Sequence, residues 1–268
     1  MKQLIRILAL TGLTISLMQG QEQSKDFWIP LIRDKNKTEE QKISEIKKLI
    51  KEGFNVNSKA QETIQAFTPL ILAAELGYLN LARMLLENGA LVNATDRDDM
   101  SAIYYAARKG HFDMVQFLLS RGAKVDGKNK QGNNILLDML FRYPINIEEA
   151  KDKEQFKKNI NRVAELLIER GVNVNEQRTP AMGGTTAVML AATVNDWDLV
   201  RLLIRKKANL CIKDQFGNTL AYHLPDLTKE KDRKGLAAAD IAYIKELRNT
   251  LEDCEWEIIK KHGIQQTP

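Results

Sequence analysis

The sequence predicts an all-α solenoid of stacked helix-turn-helix pairs, and three observations predict it. A motif recurs at one fixed offset. Its apolar positions carry a helical period. Glycines stand where each helix would end. The cleanest copy begins Thr68-Pro69-Leu70-Ile71-Leu72-Ala73-Ala74-Glu75-Leu76-Gly77 and closes Leu85-Leu86-Glu87-Asn88-Gly89-Ala90-Leu91-Val92-Asn93. A second copy lies 33 residues on, where Ser101-Ala102-Ile103, Ala106-Ala107, Gly110, Leu118-Leu119 and Gly122-Ala123 answer the same positions. Self-similarity at such a period marks a helix-pair solenoid, which grows in one dimension.

Each position of the cleanest copy has a physical task. Thr68 can cap the first helix and Pro69 suits its first turn. Ala73 and Ala74 are small where neighbouring helices approach. Gly77 can close the first helix in a left-handed conformation. Leu79, Leu81, Ala82, Leu85 and Leu86 form the buried stripe of the second helix, which Gly89 ends.

Composition agrees with a folded chain. Of the 268 residues, 44% are hydrophobic and 28% charged, too apolar for a disordered segment. The net charge of +5 is mild and the charges are interleaved, so no nucleic-acid footprint is expected. At the N-terminus, Lys2 and Arg6 precede an apolar run from Ile7 to Met18 and then a polar exit. This order reads as a secretory signal peptide over residues 1–20, cut near Gly20; an uncleaved anchor or a buried helix is the alternative. The run is short for a membrane span, so no stable insertion is expected after cleavage. Cys211 and Cys254 are the two cysteines. Export would permit a disulfide, but nothing in the sequence brings the two together, and the expectation is a pair of free thiols.

Residues 21–37 form a polar lead-in around Phe27-Trp28-Ile29-Pro30-Leu31-Ile32, where Pro30 could start or break a short helix. Thr38 is expected to cap a helix carrying Ile43, Ile46, Leu49 and Ile50, with Gly53 as its stop. Phe54-Asn55-Val56-Asn57 then parallels Ala90–Asn93, which marks a degenerate opening unit.

The pattern Thr-Pro-Leu-x-x-Ala-Ala-x-x-Gly, followed by Leu-Leu-x-x-Gly-Ala and x-Val-Asn, resembles the ankyrin repeat. The resemblance covers residues 38–224 and implies about five repeats including degenerate caps, joined by β-hairpin loops. The Gly110-His111-Phe112 corner is similar to the family's Gly-His-Leu corner, which makes His111 a structural hydrogen-bonding residue. Tyr104 and Tyr105 stand where most repeats have smaller residues; Tyr105, Arg108 and Lys109 are expected toward the concave side.

Later copies depart from the first. In the third, Gly122 to Gly171 spans 49 residues, 16 beyond the period, with the insertion near 142–157. Its charged composition suggests a solvated spacer or, alternatively, a longer helix pair. In the fourth, Asn195 and Lys207 replace helix-ending glycines, Lys207 at a cost in strain. Trp197 is expected in the core, and Arg201, Arg205, Lys206 and Lys207 on a solvated face. The fifth copy starts at Asp214, and residues 225–268 read as a capping helix and tail, with a helix over Ala238–Trp256.

No hydrolase, metal, phosphate-loop or redox motif is present, and the three histidines, 111, 223 and 262, have no ligand spacing. No cofactor, metal site or catalytic residue is expected. The sequons at Asn36 and Asn93 matter only in a eukaryotic secretory pathway. The resemblance implies a non-catalytic, monomeric module that binds a partner protein through hairpin tips and inner helices. The contact residues expected at those variable positions are Gln65, Phe67, Arg97, Asp99, Met100, Tyr105, Arg108, Lys109, Lys130, Gln131, Gln215 and Phe216. With the signal segment, this points to an exported protein, bacterial periplasmic or secreted. One alternative is an accessory or inhibitor protein of a periplasmic enzyme; another is an enzyme with its site in the third-copy insertion.

Overall fold

A computed structural model describes residues 26–61 and 64–262. The signal segment lies outside the described residues. The helices are α1 (Trp28–Arg33), α2 (Glu39–Lys51), α3 (Pro69–Leu76), α4 (Leu79–Glu87), α5 (Ala102–Arg108), α6 (Phe112–Ser120), α7 (Ile135–Glu149) and α8 (Lys153–Glu169). They continue with α9 (Ala187–Thr193), α10 (Trp197–Arg205), α11 (Leu220–His223), α12 (Glu230–Arg233) and α13 (Ala238–His262). They associate as antiparallel pairs from α1/α2 onward, with α11 and α13 closing the stack. Inner helices α1, α3, α5, α7, α9 and α11 pack in sequence, and behind them α2 packs on α4, α6 on α8 and α8 on α10. Among the described residues the connecting tips form isolated bridges, Thr95 with Ser101 and Gln177 with Thr186, and no longer strands.

The local signals act as read. Thr38 and Gln41 exchange hydrogen bonds in a capping box at α2. Thr68 accepts from the Ile71 N–H and Pro69 opens α3. Gly77 sits at φ +75°, and a Cβ there would meet the His111 ring at 2.8 Å, so both conformation and space demand glycine. Asn195 and Lys207 take the left-handed conformation at φ +55° and +68°. Loop asparagines then stitch one pair to the next. The Asn93 amide donates to the Gly122 carbonyl and its oxygen accepts from the Lys124 N–H. Asn57 and Asn175 make the same two bonds to the loops that follow them.

The core is one continuous cluster along the stack. Ile71, Ala73, Ala74, Leu81 and Leu85 are fully buried, and Trp197 is in the core as expected. The lead-in is part of this core, since Trp28 and Ile32 are fully buried and α1 packs on α3. Pro30 lies inside α1 and does not break it, because its missing N–H falls in the first turn.

One open alternative is decided and one expectation is corrected. The third-copy insertion is a longer helix pair and no spacer: α7 has 15 residues, with Pro144 inside it, and α8 has 17. Tyr143 is 1% exposed and donates to Asp196 Oδ2 at 2.5 Å, while Asn146 donates to the Arg108 carbonyl at 2.9 Å. These anchors tie the extension to both neighbouring copies, which is why it stays helical. Cys211 and Cys254 are joined in a disulfide whose Cα atoms lie 5.3 Å apart. It fastens α13 to the loop after α10. Folding brings together two residues 43 apart in the chain, a proximity no local pattern encodes.

The basic stripe of the fourth copy is largely neutralised. Arg201 pairs with Asp198 and Asp240 and lies over the Tyr243 ring, and Lys206 pairs with Glu165 and Glu169.

Candidate interaction surface

The hairpin tips share one construction, visible in three of them. In the tip before α5, Asp96 Oδ1 accepts from the N–H groups of Asp98 and Met100, at 2.8 and 2.9 Å. Asp99 takes the left-handed conformation at φ +60°. In the next tip Asn129 Oδ1 accepts from Gln131 and Asn133, with Gly132 left-handed. In the tip before α11, Asp214 Oδ1 accepts from Phe216 and Asn218, with Gly217 left-handed. A short side-chain acceptor thus folds the loop on itself, as Asx residues do.

The inner helix then holds each of these acceptors through the residue nine positions later. Tyr105 donates to Asp96 Oδ2 at 2.5 Å, Asn129 donates to Asp138 Oδ1 at 2.8 Å, and the His223 ring lies 3.3 Å from Asp214 Oδ2. Burial alone would raise the Asp214 carboxyl, but the N–H bonds from Asn218 and Phe216 and the contacts from Asn218 and His223 hold it below the usual carboxylate range. Burial and the Asp96 carboxylate push the Tyr105 phenol far above its ordinary value, so it stays a neutral donor.

This geometry divides the expected contact residues. Tyr105 does not face the concave side. It is 5% exposed and packs edge-on against Phe67, itself buried, with ring centroids 5.0 Å apart. Met100 is buried beneath its tip. Arg108 is spent on Asp138 in a two-point ion pair that is largely buried. Lys109 is bound by Asn146 and Glu149, each at 3.0 Å. These five residues build the stack.

The other seven lie on the surface. Gln65, Arg97, Asp99, Lys130, Gln131, Gln215 and Phe216 are exposed. Their backbones run edge to edge. The Arg97 N–H donates to the Gln65 carbonyl at 2.9 Å, Lys130 to Asp98 at 3.0 Å, and Gln215 to Gly183 at 3.2 Å. Phe216 is 75% exposed. Two exposed apolar neighbours escaped the sequence reading. Ile64 is 82% exposed beside Gln65, and Tyr222 is 72% exposed on α11. Tyr222 stands where Tyr104 stands in the second copy, but no further tip follows to cover it.

His111 has the structural role expected of it. Its Nε2 lies 3.1 Å from the Glu75 carbonyl, and burial, assisted by Lys109, lowers its pKa against the opposing effect of that bond. Among the described residues no cluster of His, Cys, Asp and Glu could hold a metal ion, and no helix is long and apolar enough to cross a membrane.

Comparison with known proteins gives the geometry its family. Ankyrin repeats in three copies match residues 38–129, and a further ankyrin repeat matches residues 183–215. The chain is similar to the ankyrin repeat and KH domain-containing protein mask of Drosophila melanogaster, 42% identical over 33% of this chain and 2% of that protein. It is 28% identical to the probable E3 ubiquitin-protein ligase XBOS33 of Oryza sativa subsp. japonica, over 57% of this chain and 34% of that one. It is 24% identical to the putative ankyrin repeat protein FPV031 of Fowlpox virus, over 76% of this chain and 56% of the other. The chain therefore spans only a small part of several relatives, and the shared element is the repeat array. That family is typically non-catalytic and generally mediates protein–protein interaction. From its period, its helix pairs and its matched repeats, this chain carries ankyrin repeats over residues 38–129 and 183–215.

Proposed function

We propose that the chain is an exported, monomeric, non-catalytic module that binds one partner protein through its row of hairpin tips. One observation carries this reading. The tip backbones are locked by Asx bonds and by their neighbours, while Ile64, Arg97, Lys130, Gln131, Gln215 and Phe216 project into solvent from them. Side chains held in place before a partner arrives lose little entropy on binding. Phe216 and Ile64 supply apolar anchors within a polar surround, the composition of an interface core and rim.

Export is supported by the N-terminal pattern and by the Cys211–Cys254 bond, which is typical of oxidising compartments. A photo-crosslinking residue at position 216 should capture one partner from a secreted or envelope fraction, and one at position 83 on the outer helix should not. Equal capture from both positions would sink the tip assignment. Mass spectrometry of the mature protein should find residues 1–20 removed.

A further inference from the structure

The tip before α9 breaks the rule of the others. Arg178 occupies the place of Asp96, Asn129 and Asp214, since its N–H donates across the loop to Thr185, as that of Asp96 does to Met100. A guanidinium has no acceptor, so it cannot fold the tip as an Asx residue does. The loop is instead longer and turns through a single 3-10 turn at Pro180–Met182.

The Arg178 side chain goes elsewhere. Its guanidinium lies 3.9 Å from the centroid of the Phe141 ring, on α7. The residue is 7% exposed, its Nε is buried with no hydrogen-bond partner, and among the described residues it has no ion pair. Thr185, its partner across the loop, also has a buried Oγ1 without a partner. Asp138 is the nearby acid, but Arg108 and Asn129 already hold it. Burial pulls the proton affinity of Arg178 down, and Asp138 restores only part of it. A buried cation without a counter-charge is costly, and a ring face compensates only in part.

Arg142 stands beside Phe141, 5.6 Å from the same ring, also without an ion pair among the described residues. One turn further along α7, Ile145 is 55% exposed.

We propose that Arg178, Arg142 and Phe141 form a carboxylate-binding site between the third and fourth copies, which takes an acidic side chain of a peptide segment in the partner protein. Two planar guanidinium forks beside one ring match a carboxylate by paired N–H bonds, which a lysine could not supply. Exposed Ile145 suits a peptide with an apolar residue near its acid better than a small free anion. The site rests on the protein-binding reading above, but it lies at the base of the tip before α9 and uses none of the exposed tip residues named there.

The test uses the purified chain and capped hexaglutamate as probe, with hexalysine and inorganic phosphate as comparisons. Hexaglutamate should shift the Arg178 Nε–Hε resonance saturably, and hexalysine should not. Arg178→Gln and Arg142→Gln should each weaken binding by about tenfold or more, as loss of a charge partner does. Phe216→Ala should leave hexaglutamate binding unchanged. If Arg178→Gln unfolds, Arg142→Gln on the exposed side of α7 decides alone. Unchanged affinity in the Arg142 variant, or an equal shift with inorganic phosphate, would overturn the peptide site. Loss of partner capture at position 216 with hexaglutamate binding intact would count against the tip reading alone.

Discussion

The Tyr105 hydroxyl donates to Asp96 Oδ2 at 2.5 Å, and Asp96 in turn organises the tip that precedes α5. An inner-helix side chain thus sets the shape of a loop that meets solvent. Tyr105→Phe should cost about 1.5–3 kcal/mol, the range for a hydrogen bond to a charged group. Urea denaturation would measure it, and faster amide exchange at Asp98 and Met100 should accompany it. A loss of partner binding with stability unchanged would return Tyr105 to the interaction surface.

The disulfide closes a loop of 43 residues and holds α13 on the stack. Reduction, or Cys211→Ser, should lower stability by roughly 2–4 kcal/mol. Unfolding followed with and without reductant would measure the difference. No change would mean that Arg201–Asp240 and the apolar contacts of Ile244 and Leu247 suffice for docking.

The stack was legible wherever residues repeat, and illegible where one residue meets another far away. Leu85, Ala73 and Gly77 recur in phase, so their roles follow from spacing alone. Tyr105 looked like a concave-face residue because most repeats have a smaller residue there; only its burial and the distance to Asp96 show it turned inward. The insertion looked like a spacer because its charges dominate. Yet Met139, Leu140, Tyr143 and Ile147 keep a helical period across it, a signal available in the sequence. For the site around Arg178 the clue was its basic side chain where other tips carry Asp or Asn.

Among the described residues, Lys207 is the one helix-ending position of the outer row where a bulky residue takes a left-handed conformation, at φ +68°. Lys207→Gly should stabilise the chain by about 1 kcal/mol, the lower end of the cost of that conformation for a residue with a Cβ. Thermal melting would detect it. A fall in melting temperature would show that the lysine side chain contributes more than its backbone costs.

Asp126 stands where Asn93 stands one period earlier, and an aspartate cannot donate to the next loop's carbonyl. Asp126→Asn should supply the missing donor to the Gly171 carbonyl and add about 1 kcal/mol. Chemical denaturation of the single variant would test this, with Asn93→Asp as the reciprocal loss.

Burial lowers the pKa of His111 below its ordinary value, which favours the neutral imidazole in the folded chain. Its contribution is complete above about pH 6.5, where the unfolded imidazole is also neutral, and is lost as pH falls through the folded pKa. The urea midpoint should therefore drop between pH 7.5 and 5.5. His111→Gln should flatten that slope; an unchanged slope would place the acid-sensitive group elsewhere.

Tyr143 and Asn146 lie beyond the length of an ordinary inner helix, and each reaches a different neighbour, Asp196 on one side and the Arg108 carbonyl on the other. A one-dimensional stack normally melts from its ends inward, layer by layer. Here the middle layer acts as a keystone. Trimming from either terminus should leave a slowly exchanging block from the second to the fourth copy, and mechanical pulling should meet its largest resistance there.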